Sequence, residues 1–174
     1  AGIAPTFGNQ LVGFLQARRA VLGVVRVAGD EVHQVFGHQR FGKGLGAALL
    51  CAKLQATLRA LAPVAADLEA LGASLNGVLE RSGLDNRYAT LFYAEITPGS
   101  SVVRYLNAGH NPALLVSGDA IDPLKASSLP LGMLPGMTYT QGTATLVSGD
   151  LLVLYSDGIT EATNAAGEEY GLLR

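Results

Sequence analysis

Two long helical patterns set between strand-like segments limit the fold of this 174-residue chain more than any other feature. LGAALLCAKLQATLRALA starts at Leu45 and VAADLEALGASLNGVLERSG starts at Val64, and both repeat leucine or alanine at helical spacing. Apolar and β-branched runs broken by glycine-containing turns lie before and after them. Helices grouped between runs of strands indicate an α+β domain built in layers, because a doubly wound parallel sheet would alternate strand and helix.

The leucines and alanines of the first helix predict the face that packs against the rest of the domain. The main stripe is expected at Leu45, Leu49, Ala52 and Ala56, with Leu50, Leu54, Leu58 and Leu61 close beside it. Its many alanines would allow close packing against a sheet. In the second helix, Gly72 marks the place where a bend is expected.

Three antiparallel hairpins are predicted among the strand-like segments. VVRV and VHQVFG are joined by a Gly-Asp turn, so Asp30 is a turn residue or, alternatively, a metal ligand. YATLFYAEI and VVRYLNAGHNPALLVS, joined by TPGSS, form the second, long hairpin. TYTQGTATLVSGDLLVLYSDG forms the third, turning at Ser148, Gly149 and Asp150, with LLVLY as a central strand covered on both faces.

Alternation in VVRYLNA predicts which of its side chains share a face of the sheet. Successive residues of a strand point to opposite faces. One face carries Val103, Tyr105 and Asn107, and the other carries Val102, Arg104 and Leu106.

Composition narrows the classes of function. The formal net charge is −2, which argues against a nucleic-acid partner, since that partner requires a basic surface. No apolar run reaches the roughly 18 residues of a membrane-spanning helix, so no membrane insertion is expected. The single cysteine, Cys51, cannot form an internal disulfide, and a reducing cytoplasm is the simple interpretation.

The segment LYSDGITEATNAAGEEYG is the most informative for chemistry, because an apolar strand runs directly into Ser156, Asp157 and Gly158. The strand end presents the Asp157 carboxylate, and Gly158 allows a sharp turn. Hard cations such as Mg²⁺ and Mn²⁺ bind carboxylate oxygens held in this way. The pattern also fits an ordinary Asp-Gly turn, and the residues alone leave both interpretations open.

Two further segments are candidates for a site. In NAGHNP, His110 is either a general acid or a polar residue in a bulged turn. GHQRFGKG, Gly37 to Gly44, joins a strand to the first helix and has the form of a loop that holds a metal or a phosphate, but it contains no carboxylate. It also lacks the upstream glycine and the Ser or Thr of a complete P-loop.

Together these motifs resemble those of the bacterial SpoIIE/RsbU-type members of the metal-dependent serine/threonine protein phosphatases, the PPM family. The similarity starts at about Gln16 and includes, in the family's order, GKGLGAALL, TLFYAEITPGSSVVRYLNAGHNPALLVS, LPLGMLPG and GDLLVLYSDGITEATNAAGEEYG. It implies two antiparallel β-sheets in a sandwich flanked by α-helices, in α-β-β-α layers. On this interpretation residues 1–174 are a single domain that lacks its C-terminal segment.

The resemblance also implies an activity. Two Mn²⁺ or Mg²⁺ ions at one end of the sandwich would acidify a bridging water, which attacks the phosphorus of a phosphoserine or phosphothreonine. The substrate would be a phosphorylated regulatory protein in a signalling switch, of the anti-sigma-factor antagonist type. A sensor or receiver domain would precede the phosphatase domain.

The family's metal ligands carry over only in part. Asp157 matches the metal-binding Asp of the (S/T)DG motif. GHQRFGKG replaces the family's GDxSGKG loop, so Gly37, His38 and Gln39 are altered metal-loop positions, and His38 or Gln39 stands where the bridging Asp is expected. QARRAVLG, residues 16–23, fits the stretch that carries another metal Asp but has none, and the family's last metal Asp falls beyond the end of the chain. No catalytic residue is assigned.

The missing carboxylates count against metal binding. One aspartate with a neutral His or Gln is a poor site for two hard cations. Arg40 would repel cations further, although its guanidinium could bind a phosphate. Asp30 and Glu31 are unsuited as replacements, because a hairpin tip is expected at the far end of the strand from the Gly37–Gly44 loop.

Three hypotheses remain open. The first is an active metal-dependent phosphatase. The second is a catalytically silent domain of the same fold, a pseudophosphatase that binds a phosphoprotein or a regulator and needs no metal. The third is a normal enzyme whose N-terminal part is altered or incomplete in this sequence.

Overall fold

The computed structural model describes residues 22–27, 34–36, 45–82, 88–96, 100–125, 128–155 and 157–171. In chain order they form β1 Leu22–Val27, β2 Gln34–Phe36, α1 Leu45–Leu61, α2 Leu68–Glu80, β3 Leu91–Ile96, β4 Val102–Ala108, β5 Ala113–Ser117, β6 Ala120–Leu124, β7 Gln141–Thr145, β8 Leu151–Val153 and the one-turn helix α3 Asp157–Thr160. Strands, two long helices and further strands follow one another as predicted. None of these helices is long and apolar enough to cross a membrane.

The described strands form two sheets that pack face to face. Sheet 1 has the order β2-β1-β3-β4-β7, and sheet 2 has the order β6-β5-β8. The predicted hairpins β1–β2 and β3–β4 are antiparallel pairs. The rest of the arm predicted for the second hairpin does not continue β4: Ala113–Ser117 forms β5 in sheet 2. The α+β sandwich is therefore confirmed. A helical layer on the outer face of sheet 2, the fourth expected layer, stays a prediction.

β1 and β3 depart from the expected antiparallel arrangement. They pair in parallel, with Gly23 opposite Phe92 and Val27 opposite Ile96. The chain between them contains α1 and α2, and a long helical connection can return to the starting end of a sheet, whereas a short hairpin cannot. Local turn patterns do not reveal such a pair, because it depends on how the helices cross the sheet.

The inward face of α1 is formed by leucines and not by the predicted alanine stripe. Leu50, Leu54 and Leu58, at four-residue spacing, are 2%, 0% and 2% exposed. Leu49 is 60% exposed, and Ala52 and Ala56 are also exposed. Each buried methylene stabilises the fold by about 0.8 kcal/mol, so the row of larger side chains takes the interior position.

α2 lies beside α1 over sheet 1 and begins at a side-chain cap. Asp67 Oδ1 accepts a hydrogen bond from the backbone N–H of Ala70 at 2.7 Å, which satisfies one of the free donors of the first turn. The helix then runs through Gly72 as one element. Its buried face meets the α1 leucines and the side chains of sheet 1 in one core; these residues include Leu68, Leu71, Leu75, Leu79, Leu91, Tyr93 and Leu106.

A second core lies between the two sheets and confirms the alternation predicted for β4. Val103 and Tyr105 point into it, and Asn107 hydrogen bonds toward sheet 2, whereas Leu106 points to the helices. The Phe92 and Tyr105 rings stack there with centroids 5.7 Å apart. The other buried members are Ala94, Ala113, Leu115 and Leu124.

The third predicted hairpin is wrong. β7 pairs with β4 in sheet 1, and β8 pairs with β5 in sheet 2, so the chain changes sheets between them. The turn itself lies at the predicted place, where Asp150 accepts hydrogen bonds from Ser117 Oγ at 2.5 Å and Val147 N at 2.9 Å. β8 is also no central strand in the described part of sheet 2: it is an edge, and Leu151 is 58% exposed.

Candidate functional site

One end of the sandwich collects the strand ends that flank the candidate residues. In sheet 1, β4 ends at Ala108, opposite Leu91 at the start of β3. Residues 109–112 then cross to sheet 2, where β5 begins at Ala113. Val153, the last residue of β8, pairs with Leu114 beside it. We call this end, which contains the β4–β5 turn and the end of β8, the site end.

Asn107 connects the two sheets at the site end. Its side chain is fully buried, its Nδ2 donates to Leu124 O in sheet 2 at 3.2 Å, and its Oδ1 accepts from the backbone N–H of His110 at 2.9 Å. A buried amide stabilises the fold only when its polar atoms are paired in this way. The sequence assigned Asn107 to the correct face without recognising this function; the available signal was a polar residue within an apolar strand.

His110 lies in the β4–β5 turn and is 5% exposed. Its Nδ1 is 2.9 Å from Asn111 O. The turn requires glycine at position 109, where φ is +67° and an added Cβ would lie 2.5 Å from Pro130 Cγ. These surroundings fit the interpretation of His110 as a polar residue in a tight turn, and its role as a general acid stays a prediction.

Asp157 follows β8 at the site end, as the strand-to-turn pattern predicted. After Val153 the chain passes through the half-buried Leu154 and Tyr155, and Asp157 begins α3. Burial raises the pKa of the Tyr155 hydroxyl, which remains protonated at neutral pH. The Asp157 side chain lies outside the described part of the structure, so its role as a metal ligand stays a prediction.

A short hairpin stabilised by Asn164 follows α3. Asn164 Oδ1 accepts from the backbone N–H groups of Ala166 at 2.9 Å and Glu168 at 3.0 Å, and its Nδ2 donates to the Glu168 carboxylate at 2.8 Å. Thr163 and Glu169 pair across the hairpin. These bonds lie beyond the end of α3 at Thr160 and stabilise the hairpin. The hairpin therefore has a defined shape immediately after Asp157.

Gly37, His38 and Gln39 lie outside the described residues, whereas the strand before them is placed. β2 ends at Phe36, opposite Leu22 at the start of β1. Since β1 runs parallel to β3, this end of β2 is at the site end. The chain thus leaves β2 at the same end of the sandwich at which β8 leads into Asp157.

Asp30 and Glu31 also lie outside the described residues. β1 ends at Val27 opposite Ile96, which is at the other end of the sandwich. The position of these two carboxylates stays a prediction. Among the residues whose side chains are described, no three His, Cys, Asp or Glu residues are grouped as a metal site.

Comparison with known proteins identifies the family. The model of the family Stage II sporulation protein E (SpoIIE) matches residues 40–174. The phosphoserine phosphatase RsbU of Bacillus subtilis (strain 168) is 30% identical over 128 residues, which cover 72% of this chain and 38% of RsbU. The chain thus spans well under half the length of this curated relative.

Solved structures agree in fold. The PP2C phosphatase domain of SpoIIE from Bacillus subtilis, solved with a fragment of its regulatory domain, matches with a TM-score of 0.62 and 25% identity over 72% of this chain and 37% of that one. The RsbU and RsbW domains of a Mycobacterium tuberculosis protein match with a TM-score of 0.64 and 21% identity over 83% of this chain and 46% of that one, which shows a shared fold. Since the family model spans most of the chain, the protein belongs to the SpoIIE family of PP2C-type phosphatase domains.

Proposed function

We propose that the chain is the catalytic domain of a protein serine/threonine phosphatase that acts on a phosphorylated regulatory protein of the anti-sigma-factor antagonist type. The observation that carries the proposal is the position of Asp157, which follows β8 at the site end within the family's SDG motif. The relative RsbU is a phosphoserine phosphatase, which supports the reaction class. A preceding sensor or receiver domain and a cytoplasmic setting are expected from the family.

Phosphatases of this class use divalent cations, and the candidate metal ligands of this chain fit such cations only in part. When bound, Mn²⁺ or Mg²⁺ would activate the attacking water and offset charge on the phosphoryl oxygens. Asp157 has the right chemistry for one ligand. His38 and Gln39 are neutral and do not replace the bridging aspartate of a hard-cation pair. The residues present therefore do not complete a two-cation centre, and no reaction step is assigned to one.

The chain's own contribution is to hold the segments of the site end in place. Asn107 fixes the β4–β5 turn to sheet 2, and Asn164 fixes the hairpin that follows Asp157. The β4–β5 turn lies beside the end of β8, from which the chain leads to Asp157.

The alternative is a catalytically silent domain that binds a phosphoprotein or a regulator, and the neutral residues His38 and Gln39 are the observation in its favour. Mn²⁺ binding measured by calorimetry and hydrolysis of p-nitrophenyl phosphate and a phosphoserine peptide, with and without Mn²⁺, separate the two. The phosphatase predicts Mn²⁺ binding and a turnover that Asp157→Asn removes, whereas the silent domain predicts neither.

Asp150→Asn is the matched control for this experiment. Asp150 precedes β8 at the end opposite the site, so the same chemical change there should leave turnover intact. Absence of turnover at every Mn²⁺ concentration, or turnover that Asp157→Asn leaves unchanged, would contradict the proposal and favour the silent domain.

A further inference from the structure

Asn76 is a buried polar residue on the leucine-rich face of α2. It is 1% exposed, and its polar atoms are all paired. Oδ1 accepts from Gly132 N at 2.7 Å and from the Tyr139 hydroxyl at 3.0 Å, while Nδ2 donates to Leu134 O at 3.0 Å and to the Glu80 carboxylate. Apart from Glu80, these partners belong to residues 128–140, which we call the bridging segment. Asn76 therefore binds a segment that lies more than fifty positions away in sequence.

A stripe of α2 is shaped for the bridging segment. Gly72, Asn76 and Glu80 are four residues apart and so lie on one side of the helix. At Gly72 the Tyr139 ring comes so close that an added Cβ would lie 2.7 Å from Tyr139 Cγ. Glu80 Oε1 accepts from Gly136 N at 3.1 Å. The three positions supply space, an amide and a carboxylate to the same segment.

The other side of the bridging segment contacts the site end. Leu131 exchanges two backbone hydrogen bonds with Ala89, at 2.8 and 2.9 Å, just before β3. Ser128 is bridged to Ala108, the last residue of β4. Pro130 packs against Gly109 in the β4–β5 turn. The bridging segment is thus in contact with α2 on one side and with the β4–β5 turn on the other.

We propose that Asn76 is a positioning residue of the phosphatase site: it holds the bridging segment on α2, and the bridging segment holds the β4–β5 turn at the site end. The proposal rests on the proposed function. Asn76 acts at a distance, because its hydrogen bonds within the described residues go to Glu80 and the bridging segment and none goes to the turn. Loss of its amide should therefore loosen a turn that it does not touch.

Hydrogen–deuterium exchange of the whole chain tests the proposal. Asn76→Ala leaves Gly132 N, Leu134 O and the Tyr139 hydroxyl without their partner, so amides of residues 128–140 should exchange about tenfold faster. The decisive amide is that of His110, whose acceptor is Asn107 and not Asn76. We expect this amide to exchange several-fold faster as well. Unchanged protection of His110 alongside faster exchange in the bridging segment would overturn the proposal.

Two further variants keep the test valid if Asn76→Ala does not fold. Tyr139→Phe removes one hydrogen bond to Asn76 and keeps the ring that packs on Gly72, so it should give the same pattern at smaller amplitude. Asn76→Asp keeps the acceptor for Gly132 N and the Tyr139 hydroxyl but loses the donor to Leu134 O and Glu80, so the His110 amide should again exchange faster. His110 protection equal to that of the unchanged protein would count against a role of the amide group.

Ser117→Ala is the matched control. It also removes one side-chain hydrogen bond, but at the end opposite the site, and should speed exchange only near residues 147–150. Where the unchanged protein hydrolyses p-nitrophenyl phosphate, Tyr139→Phe should lower kcat several-fold with little change in KM; an unchanged kcat would refute a role in the reaction. Absence of turnover in the unchanged protein would reject the proposed function, while the exchange data still decide whether Asn76 holds the turn.

Discussion

Replacing Gly72 with alanine would test how closely α2 packs on Tyr139. A Cβ at this position would lie 2.7 Å from Tyr139 Cγ, 2.9 Å from Tyr139 Cβ and 3.1 Å from Leu106 Cδ2. Carbon atoms in good contact are about 3.5–4.0 Å apart, so the neighbouring groups would have to move by roughly 0.5–1 Å. Tyr139 has little room to move, because it is 3% exposed and its hydroxyl is bonded to Asn76.

Two effects of the Gly72→Ala change oppose each other. Alanine inside a helix is about 1 kcal/mol more favourable than glycine, because glycine loses more backbone entropy on folding. Overpacking of a tight interior costs about 1–3 kcal/mol. Displacing Tyr139 would also weaken its hydrogen bond to Asn76, which adds about 1 kcal/mol. We therefore expect the free energy of unfolding to fall by about 1–3 kcal/mol.

Gly77→Ala is the control within the same helix. The three atoms nearest to a Cβ at Gly77 all belong to the guanidinium of Arg81, with Nη1 at 3.0 Å, and the end of this flexible side chain can move away. The helix preference of alanine should then dominate and raise the free energy of unfolding by up to about 1 kcal/mol. Urea unfolding followed by circular dichroism, with equal slopes for all variants, measures both changes.

The two glycine variants should thus shift the urea midpoint in opposite directions. If Gly72→Ala proved as stable as Gly77→Ala, the close packing of α2 on Tyr139 would be refuted. The contact between α2 and the bridging segment would then have to rest on the hydrogen bonds of Asn76 and Glu80 alone.

Three further predictions concern stability. Leu54→Ala should lower the free energy of unfolding by about 2–5 kcal/mol, because Leu54 is fully buried. Leu49→Ala, at a 60% exposed position, should lower it by under about 0.5 kcal/mol. Urea unfolding measures both, and the reverse order would restore the alanine stripe as the packed face of α1. Burial raises the pKa of Tyr139 from 10.0 to about 12, so the folded state keeps a proton that the unfolded state loses. The contribution of this group to stability is complete below pH 10 and is lost as the pH rises toward 12. Tyr139→Phe should therefore remove the fall in the free energy of unfolding between pH 10 and 12. The same fall in the variant would contradict the raised pKa of Tyr139. The hydrogen bond from Ser117 lowers the pKa of Asp150 below 3.8. The stability that the ionised Asp150 contributes is therefore present above pH 3.8 and is lost in more acidic solution. Ser117→Ala should weaken the acid dependence of urea unfolding, and identical acid profiles for the two proteins would exclude the contact.

Much of the architecture was predictable from local spacing. The helices α1 and α2, the β1–β2 and β3–β4 hairpins and the two faces of β4 all follow from repeats of two or of about four residues. The position of Asp157 after an apolar strand was predictable for the same reason, because the end of a strand is visible where apolar residues give way to Asp-Gly. These features depend on neighbours within one element, and the sequence displays such neighbours directly.

Other features depended on partners that are distant in sequence. The strands β7 and β8 are joined by a clear turn, yet they lie in different sheets. β7 pairs with β4 and β8 pairs with β5, and these pairings place Ala144 and Leu152 against the core between the sheets. Both faces of α1 carry apolar residues, and only contact with α2 and sheet 1 selects the leucine row. Asn76 could be read as an ordinary helix residue, since nothing near it indicates a bond to Gly132 or Tyr139.

The sequence by itself thus determined the order of strands, two long helices and further strands, and it indicated the phosphatase family and the candidate ligand Asp157. The tertiary structure decided that β1 and β3 are parallel, that β8 leads Asp157 to the same end of the sandwich as the β4–β5 turn, and that Asn76 is linked to that turn through the bridging segment. The physical reason is that hydrogen bonding and side-chain spacing within an element are local. The choice between alternative partners is made by the apolar area and the polar groups that the whole chain buries together.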